Sequence, residues 1–257
     1  MSVRIVSLFP DLLGTYGDGG NAVILAQRLR WRDIDCELLT VTADETVPNS
    51  ADIYLLGGGE DGPQSAAAAR LIQQRSLHRA VENGATVFAV CAGMQILGES
   101  FPDMRGNTTE GLGLLDCQTL RVEKPRAVGE LLTKATEVSL AGRNIALGPL
   151  SGFENHAGRT RLGSAASPLA TVEVGEGNGD GHEGIVQGKV VATYLHGPVF
   201  ARNPDFADAI LSMTVGDLSP INDEESLTLR SVRIEAARRH ELTPKPTLRQ
   251  RLHWRKK

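Results

Sequence analysis

The first hundred residues alternate short β-branched-rich runs with helical segments. "VRIVSLF" (3–9) and "DCELLTV" (35–41) flank a segment where Ala22, Leu25, Ala26 and Leu29 recur at i, i+3, i+4 and i+7, one helical face. "DIYLL" (52–56) runs into Gly57-Gly58-Gly59, and "SAAAARLIQQRSLHRAVENG" (65–84) reads as a helix closed by Gly84. "ATVFAV" (85–90) is a fourth strand. It ends at Cys91, and "AGMQILGES" opens the next helix. Parallel strands need crossover connections, so this pattern predicts an α/β fold with a mostly parallel central sheet and helices on both faces. The ligand site of such a sheet lies beyond the carboxyl ends of its strands.

Past residue 105 the pattern changes. "GLGLLDCQTLRV", "TEVSLAG", "NIALGPLSGFENH", "LATVEV" and "GIVQGKVVATYLHG" are strand-like runs with glycine turns and little helix. They predict an antiparallel extension of the same sheet. "NPDFADAILSMTV" and roughly 223–241 then read as helices, followed by a basic tail that contains prolines. Ten Lys/Arg face two Glu between Arg230 and Lys257, a local net of +8 in a chain whose formal total is −4. Such an end suits an anionic membrane face or an acidic partner, or is simply a solvated terminus.

Other classes are disfavoured. An aromatic share of 4% is too low for a stacking platform on single-stranded nucleic acid. No apolar run approaches the ~20 residues of a membrane span, and "MSVRIVSLFPDLLG" meets Pro10 and Asp11 before it can form a signal-peptide core. A cytoplasmic protein is expected, with at most peripheral contact at the inner membrane face. Cys36, Cys91 and Cys117 are widely spaced, so neither a disulfide framework nor a zinc ribbon is indicated, and no metal site is expected.

Cys91 poses the functional question. A strand that delivers one residue onto a tight turn opening a helix has the geometry of a nucleophile elbow, and Ala92 and Gly93 are small enough for that strained turn. A buried thiol is as often a core residue as a nucleophile. A base would help, because an unassisted thiol is mostly protonated at neutral pH. His182 reads as loop, His78 as helix, and His240 and His253 belong to the charged end. His156 and His196 remain, and His196 ends the apolar run Val190–Leu195 just before Gly197-Pro198. From the pattern alone, both Cys91 and His196 could be structural.

"LLGGGED", "VFAVCAGMQILGES" and "YLHGP" together resemble a class I glutamine amidotransferase of flavodoxin-like fold, nearest to the CobB/CobQ-like branch. "LFPDLLGTYGDGGNA", "GLGLLD", "SGFENHAGRT" and "YLHGPVFARNP" narrow the resemblance to the glutaminase subunits of lipid II amidating complexes. It places the amidotransferase domain at 1–205 and leaves 206–257 as a helical extension and tail. By this resemblance Cys91 is the nucleophile and His196 its base in the hydrolysis of L-glutamine. Ala92 and the Gly58–Gly59 turn would supply oxyanion donors, Arg126 (chosen over Arg121) the α-carboxylate contact, and Gln95 part of the pocket. No chemistry is assigned to Glu154-Asn155-His156, which could shape the pocket or a partner interface, and "GDGGN" (17–21) reads as a turn into a helix.

The wider class places a Glu two residues after the catalytic His, where this chain has Pro198. The resemblance therefore implies a Cys91–His196 dyad ordered by an acid from the partner subunit, weak alone and activated by assembly. The chain has no G-x-x-x-x-G-K-[ST] loop, so ATP and Mg²⁺ are expected in that partner, a MurT-like Mur-ligase subunit. The partner would amidate the α-carboxyl of D-glutamate in the lipid II stem peptide. Alternatives are a subunit for corrinoid or other biosynthetic amidation, a Cys-dependent peptidase or chaperone, and a non-catalytic scaffold of the same fold.

Overall fold

The computed structural model describes residues 2–242, the last three by backbone alone; the tail at 243–257, with its expected membrane or partner role, lies outside the described residues. The first strands are β1 (Val3–Leu8), β2 (Cys36–Val41), β3 (Ile53–Leu56) and β4 (Thr86–Val90). Helix α1 (Gly20–Arg30) buries Ala22, Leu25, Ala26 and Leu29, the face that the periodicity predicts. The expected helix over 65–84 begins earlier and is broken: α2 (Asp61–Gln74) and α3 (Ser76–Glu82) meet at Arg75, which sits in a left-handed conformation (φ +52°). Gly84, at φ +88°, closes α3. The helix after Cys91 is short, α4 (Ala92–Leu97).

The middle of the chain is strand-rich: β5 (Ser100–Pro102), β6 (Thr108–Glu110), β7 (Cys117–Leu120), β8 (Ala127–Thr133), β9 (Thr136–Leu140) and β10 (Arg143–Leu147). Then follow β11 (Ser151–His156), β12 (Arg159–Leu162), β13 (Ala170–Val174), β14 (His182–Glu183), β15 (Ile185–Gln187) and β16 (Val190–Thr193). The chain is completed by α5 (Val199–Arg202), α6 (Pro204–Val215) and α7 (Glu224–Leu242).

The central sheet has the order β15-β16-β4-β3-β1-β2 and is parallel except for β15. Every residue of β3, β4 and β16 is buried, as expected for strands covered on both faces. The antiparallel extension of this sheet is β15 alone. The other late strands form separate small sheets, β11-β8-β13-β14, β12-β7-β5-β6 and β10-β9. Many of them alternate buried and exposed residues, as in β7 and β13, so they need cover on one side only and can leave the central sheet.

Strand β1 pairs with β2 on one side and β3 on the other, so the direction of winding reverses there. A cleft opens at such a switch point, and the ends of β1, β3, β4 and β16 meet beside it.

The C-terminal helices are held by part-buried ion pairs. Arg28 of α1 donates to Asp208 of α6 and to Asp223 just before α7, each at 2.7 Å. Arg230 of α7 donates to Asp205 at 2.7 Å and to the Pro149 carbonyl. No helix among the described residues is long and apolar enough to cross a membrane.

Candidate active site

Cys91 sits between β4 and α4 with φ +50° and ψ −105°, a conformation that costs a non-glycine residue about 1–3 kcal/mol. The strain persists because neighbours fix it. The Cys91 N–H donates to the Thr193 carbonyl at 2.8 Å, extending the β4–β16 pairing by one step. A Cβ at Gly93 would come within 2.8 Å of the Leu56 Cβ and 3.0 Å of the Gly57 carbonyl oxygen, so only glycine lets the turn lie this close to β3. The thiol is thereby held up at the sheet's carboxyl edge.

His196 follows β16, the strand next to β4, so the topology brings the two residues together. Its backbone exchanges hydrogen bonds with Phe153 of β11, and its ring stacks on Phe153 (centroids 5.2 Å) and meets Tyr16 edge-on (5.0 Å). The imidazole is 1% exposed. Its Nε2 is buried and has no hydrogen-bond partner among the described residues, and Cys91 is the other group besides Asp18 that acts on the ring electrostatically. Burial acts to lower the imidazole pKa, but the Asp18 hydrogen bond, the neighbouring Cys91 and the charges of both outweigh it, raising the value to about 10.

Pro198 indeed offers no carboxylate, but one reaches His196 from the other end of the sequence. Asp18, in the loop between β1 and α1, accepts a 2.8 Å hydrogen bond from His196 Nδ1 through Oδ2. The same oxygen accepts the Gly58 N–H at 2.9 Å. Gly58 is thus committed to Asp18, which leaves the Gly59 and Ala92 N–H groups as the oxyanion donors available from the expected set. Glycine is required here by contact: a Cβ at Gly57 would lie 2.0 Å from the Leu13 carbonyl oxygen, and one at Gly58 2.5 Å from His196 Cε1. Sequence reasoning passed over Asp18 as part of a turn. Its position in the loop that leads from the first strand into α1, at the carboxyl edge where α/β sheets gather chemistry, is the signal that could have found it.

The pocket before Cys91 has a cavity volume of about 160 Å³ and is walled by Gly59, Gln95, Arg121, Arg126, Asn155 and His156. That is below the ~300–1,000 Å³ of drug-sized sites and suits an amino-acid side chain. Both candidate arginines line it. Arg126 is anchored by Asn155, donating from Nη2 to its backbone carbonyl at 3.0 Å and from Nε to its side-chain oxygen. Asn155 in turn donates to the Tyr16 hydroxyl, so the chain Arg126–Asn155–Tyr16 ends over His196. The Gln95 amide is spent within the protein: Oε1 accepts from Gln64 at 2.9 Å, and Nε2 donates to the Tyr194 hydroxyl at 3.2 Å. Gln95 therefore shapes the pocket floor rather than reaching out of it. His156 stacks on Tyr194 at 3.7 Å and binds Glu154, whose oxygens also accept the Glu176 and Gly177 N–H groups. No cluster of three or more metal-ligating side chains is present among the described residues.

A thiol beside an imidazole held by a carboxylate, with free backbone N–H groups at a small polar pocket, can transfer an acyl group from an amide through a thioester. The model of the CobB/CobQ-like glutamine amidotransferase domain matches residues 4–204. The chain belongs to this family. Among curated members, the subunit GatD of lipid II isoglutaminyl synthase (glutamine-hydrolyzing) from Staphylococcus aureus (strain N315) is 29% identical over 92% of this chain and 97% of its own length. The GatD subunit from Streptococcus pneumoniae (strain ATCC BAA-255 / R6) is 32% identical over 80% and 77%. Two solved glutamine amidotransferases share the family fold. One has a TM-score of 0.54 at 20% identity, covering 82% of this chain and 98% of its own. The other, from Thermotoga maritima, scores 0.51 at 15% identity, covering 94% and 92%.

Proposed function

We propose that the chain is the glutaminase subunit of a lipid II amidating enzyme, hydrolysing L-glutamine and handing the ammonia to an ATP-dependent synthetase subunit. The observation that carries the glutaminase reading is the nucleophile elbow at Cys91 beside a buried, carboxylate-bound His196. Likeness to the GatD subunits along nearly the whole chain supports the acceptor.

In this mechanism His196 Nε2 holds the thiol proton while Cys91 Sγ attacks the carboxamide carbon of glutamine as the thiolate. The Ala92 and Gly59 N–H groups hold the oxyanion, and Arg126 holds the α-carboxylate. Collapse breaks the C–N bond, and the imidazolium proton goes to the departing nitrogen, which leaves as ammonia. His196 then takes a proton from water, the hydroxide adds to the γ-glutamyl thioester, and glutamate departs as the C–S bond breaks. A MurT-like Mur ligase, with ATP and Mg²⁺, would consume the ammonia at the α-carboxyl of D-glutamate in the stem peptide.

The test combines two measurements. Glutamate release by the full chain should vanish in Cys91→Ala, and diazo-oxo-norleucine should label Cys91 unless glutamine is present. Labelling that glutamine does not slow overturns the glutaminase reading. Co-purification with a Mur-ligase-like subunit, and amidation of lipid II by the pair with ATP and glutamine, tests the acceptor; amidation of a corrinoid instead refutes it.

A further inference from the structure

The segment "LFPDLLGTYGDGGNA" contributes to the family resemblance, yet the mechanism above uses none of it. In the structure it wraps the catalytic edge. Thr15 donates from its backbone to the Gly58 carbonyl at 3.2 Å, Tyr16 covers the His196 ring at φ +62°, and Asp18 lies beneath it. We propose that Asp18 is the positioning carboxylate of His196, so that nucleophile, base and orienting acid all belong to this one chain. The proposal rests on the glutaminase reading for its substrate but not for its geometry.

Three observations carry it. First, Asp18 accepts at Nδ1, which fixes the ring: the Nδ1 proton stays on the Asp18 side, and Nε2, buried without a hydrogen-bond partner among the described residues, is left to exchange a proton with Cys91. Second, the Asp18 side chain is 0% exposed, and its ion partner is His196, with no Lys or Arg paired to it among the described residues. Such a carboxylate is costly to bury, and anchoring the loop through the Gly58 N–H could be done by a neutral amide just as well. A charge at this place is explained by a charge that forms opposite it, on the imidazolium. Third, the contact is over-determined. Gly57 and Gly58 have no room for a Cβ, because the former would meet Leu13 and Asp18 and the latter His196 and Asp18. The glycine turn thus lets the loop and the imidazole approach each other.

The groups against the ring are Asp18 and Tyr16 from the β1–α1 loop, Cys91 from the β4–α4 turn and Phe153 from β11. Of the influences that raise the imidazole pKa, the Asp18 hydrogen bond is the largest.

The decisive variant is Asp18→Asn, which keeps an oxygen for the Gly58 N–H but removes the charge. With the full chain alone, kcat for glutamine should fall on the order of 10²–10⁴-fold with KM little changed, and Cys91 alkylation by iodoacetamide near neutral pH should slow. Asp18→Glu should recover part of the loss. A folded Asp18→Asn protein with wild-type kcat and alkylation rate overturns the proposal, because a loop anchor alone would give that result. Wild-type protein supplies a check free of folding problems: in ¹⁵N-histidine spectra, assigned with His196→Gln, the His196 Nδ1 should carry a hydrogen-bonded proton. A neutral ring protonated only at Nε2 refutes the proposal. Alkylation and the spectrum need no glutamine. A wild-type chain that alkylates as expected yet hydrolyses no glutamine, either alone or with a Mur-ligase-like subunit, would therefore sink the glutaminase reading and leave the Asp18 proposal standing.

Discussion

Gly58→Ala isolates the fit between the glycine turn and the base. Gly58 is absent from the positive-φ positions, so alanine is allowed by its backbone and any cost comes from the added methyl. That methyl would lie 2.5 Å from His196 Cε1, 3.1 Å from Asp18 Oδ2 and 3.3 Å from His196 Nδ1. Carbon atoms rest about 3.5–4.0 Å apart, so the ring must retreat by about 1 Å. It cannot slide freely, since Phe153 stacks on it and Tyr16 stands over it. A displacement of that size in a reacting pair costs about 10²-fold in rate, or roughly 2.7 kcal/mol of barrier. Overpacking adds about 1–3 kcal/mol of destabilisation, a fall in Tm of roughly 2–12 °C for a domain of this size. Glutamate formation, followed with glutamate dehydrogenase, should therefore show kcat reduced about 100-fold with KM little changed. Gly62→Ala is the control, because a Cβ there meets nothing within 4 Å. A folded Gly58→Ala enzyme with kcat within about threefold of wild type would show that the turn does not position the base.

Arg126→Ala should raise KM for glutamine about 10–100-fold with a smaller effect on kcat, as expected for loss of a charge-assisted contact present before the chemistry. An equal KM in Arg126→Ala and a raised one in Arg121→Ala would transfer the α-carboxylate to Arg121, which also lines the pocket. Glu183 is fully buried, and burial pushes its carboxyl up to about 7, against the lowering effect of hydrogen bonds from Thr193 and the Tyr194 N–H. The folded state then holds a proton that the unfolded chain has released, so stability should fall between about pH 4.5 and 7, by roughly 3 kcal/mol at most. Urea unfolding of Glu183→Gln should lack this decline, and an unchanged pH dependence in that variant refutes the assignment. Arg28→Ala should cost about 1–3 kcal/mol, since it leaves the part-buried Asp223 without its guanidinium while Asp208 keeps Arg32. Protease sensitivity within α7 should rise with it, and an unaltered Tm would show that the pairs do not hold the C-terminal helices.

Local patterning was enough to read the core of the architecture from the chain. Strands buried on both faces must be nearly all apolar, and helices that pack on them must repeat near 3.6 residues, so "ATVFAV" and the Ala22–Leu29 face declare themselves. The strand–small turn–helix around Cys91 is likewise a local signal, because the strained turn excludes large neighbours. The break at Arg75 and the division of the late strands into separate sheets were not legible, since both depend on what packs against each segment. The site divides in the same way. Residue types and turns made Cys91 and His196 candidates, and Pro198 marked a missing acid at its usual position. Only tertiary structure brings Asp18 to within 2.8 Å of His196. The reason is physical: separation along the chain does not constrain which strand ends meet at a sheet's carboxyl edge, and a short acidic side chain in a glycine-rich loop gives no periodicity to betray its burial.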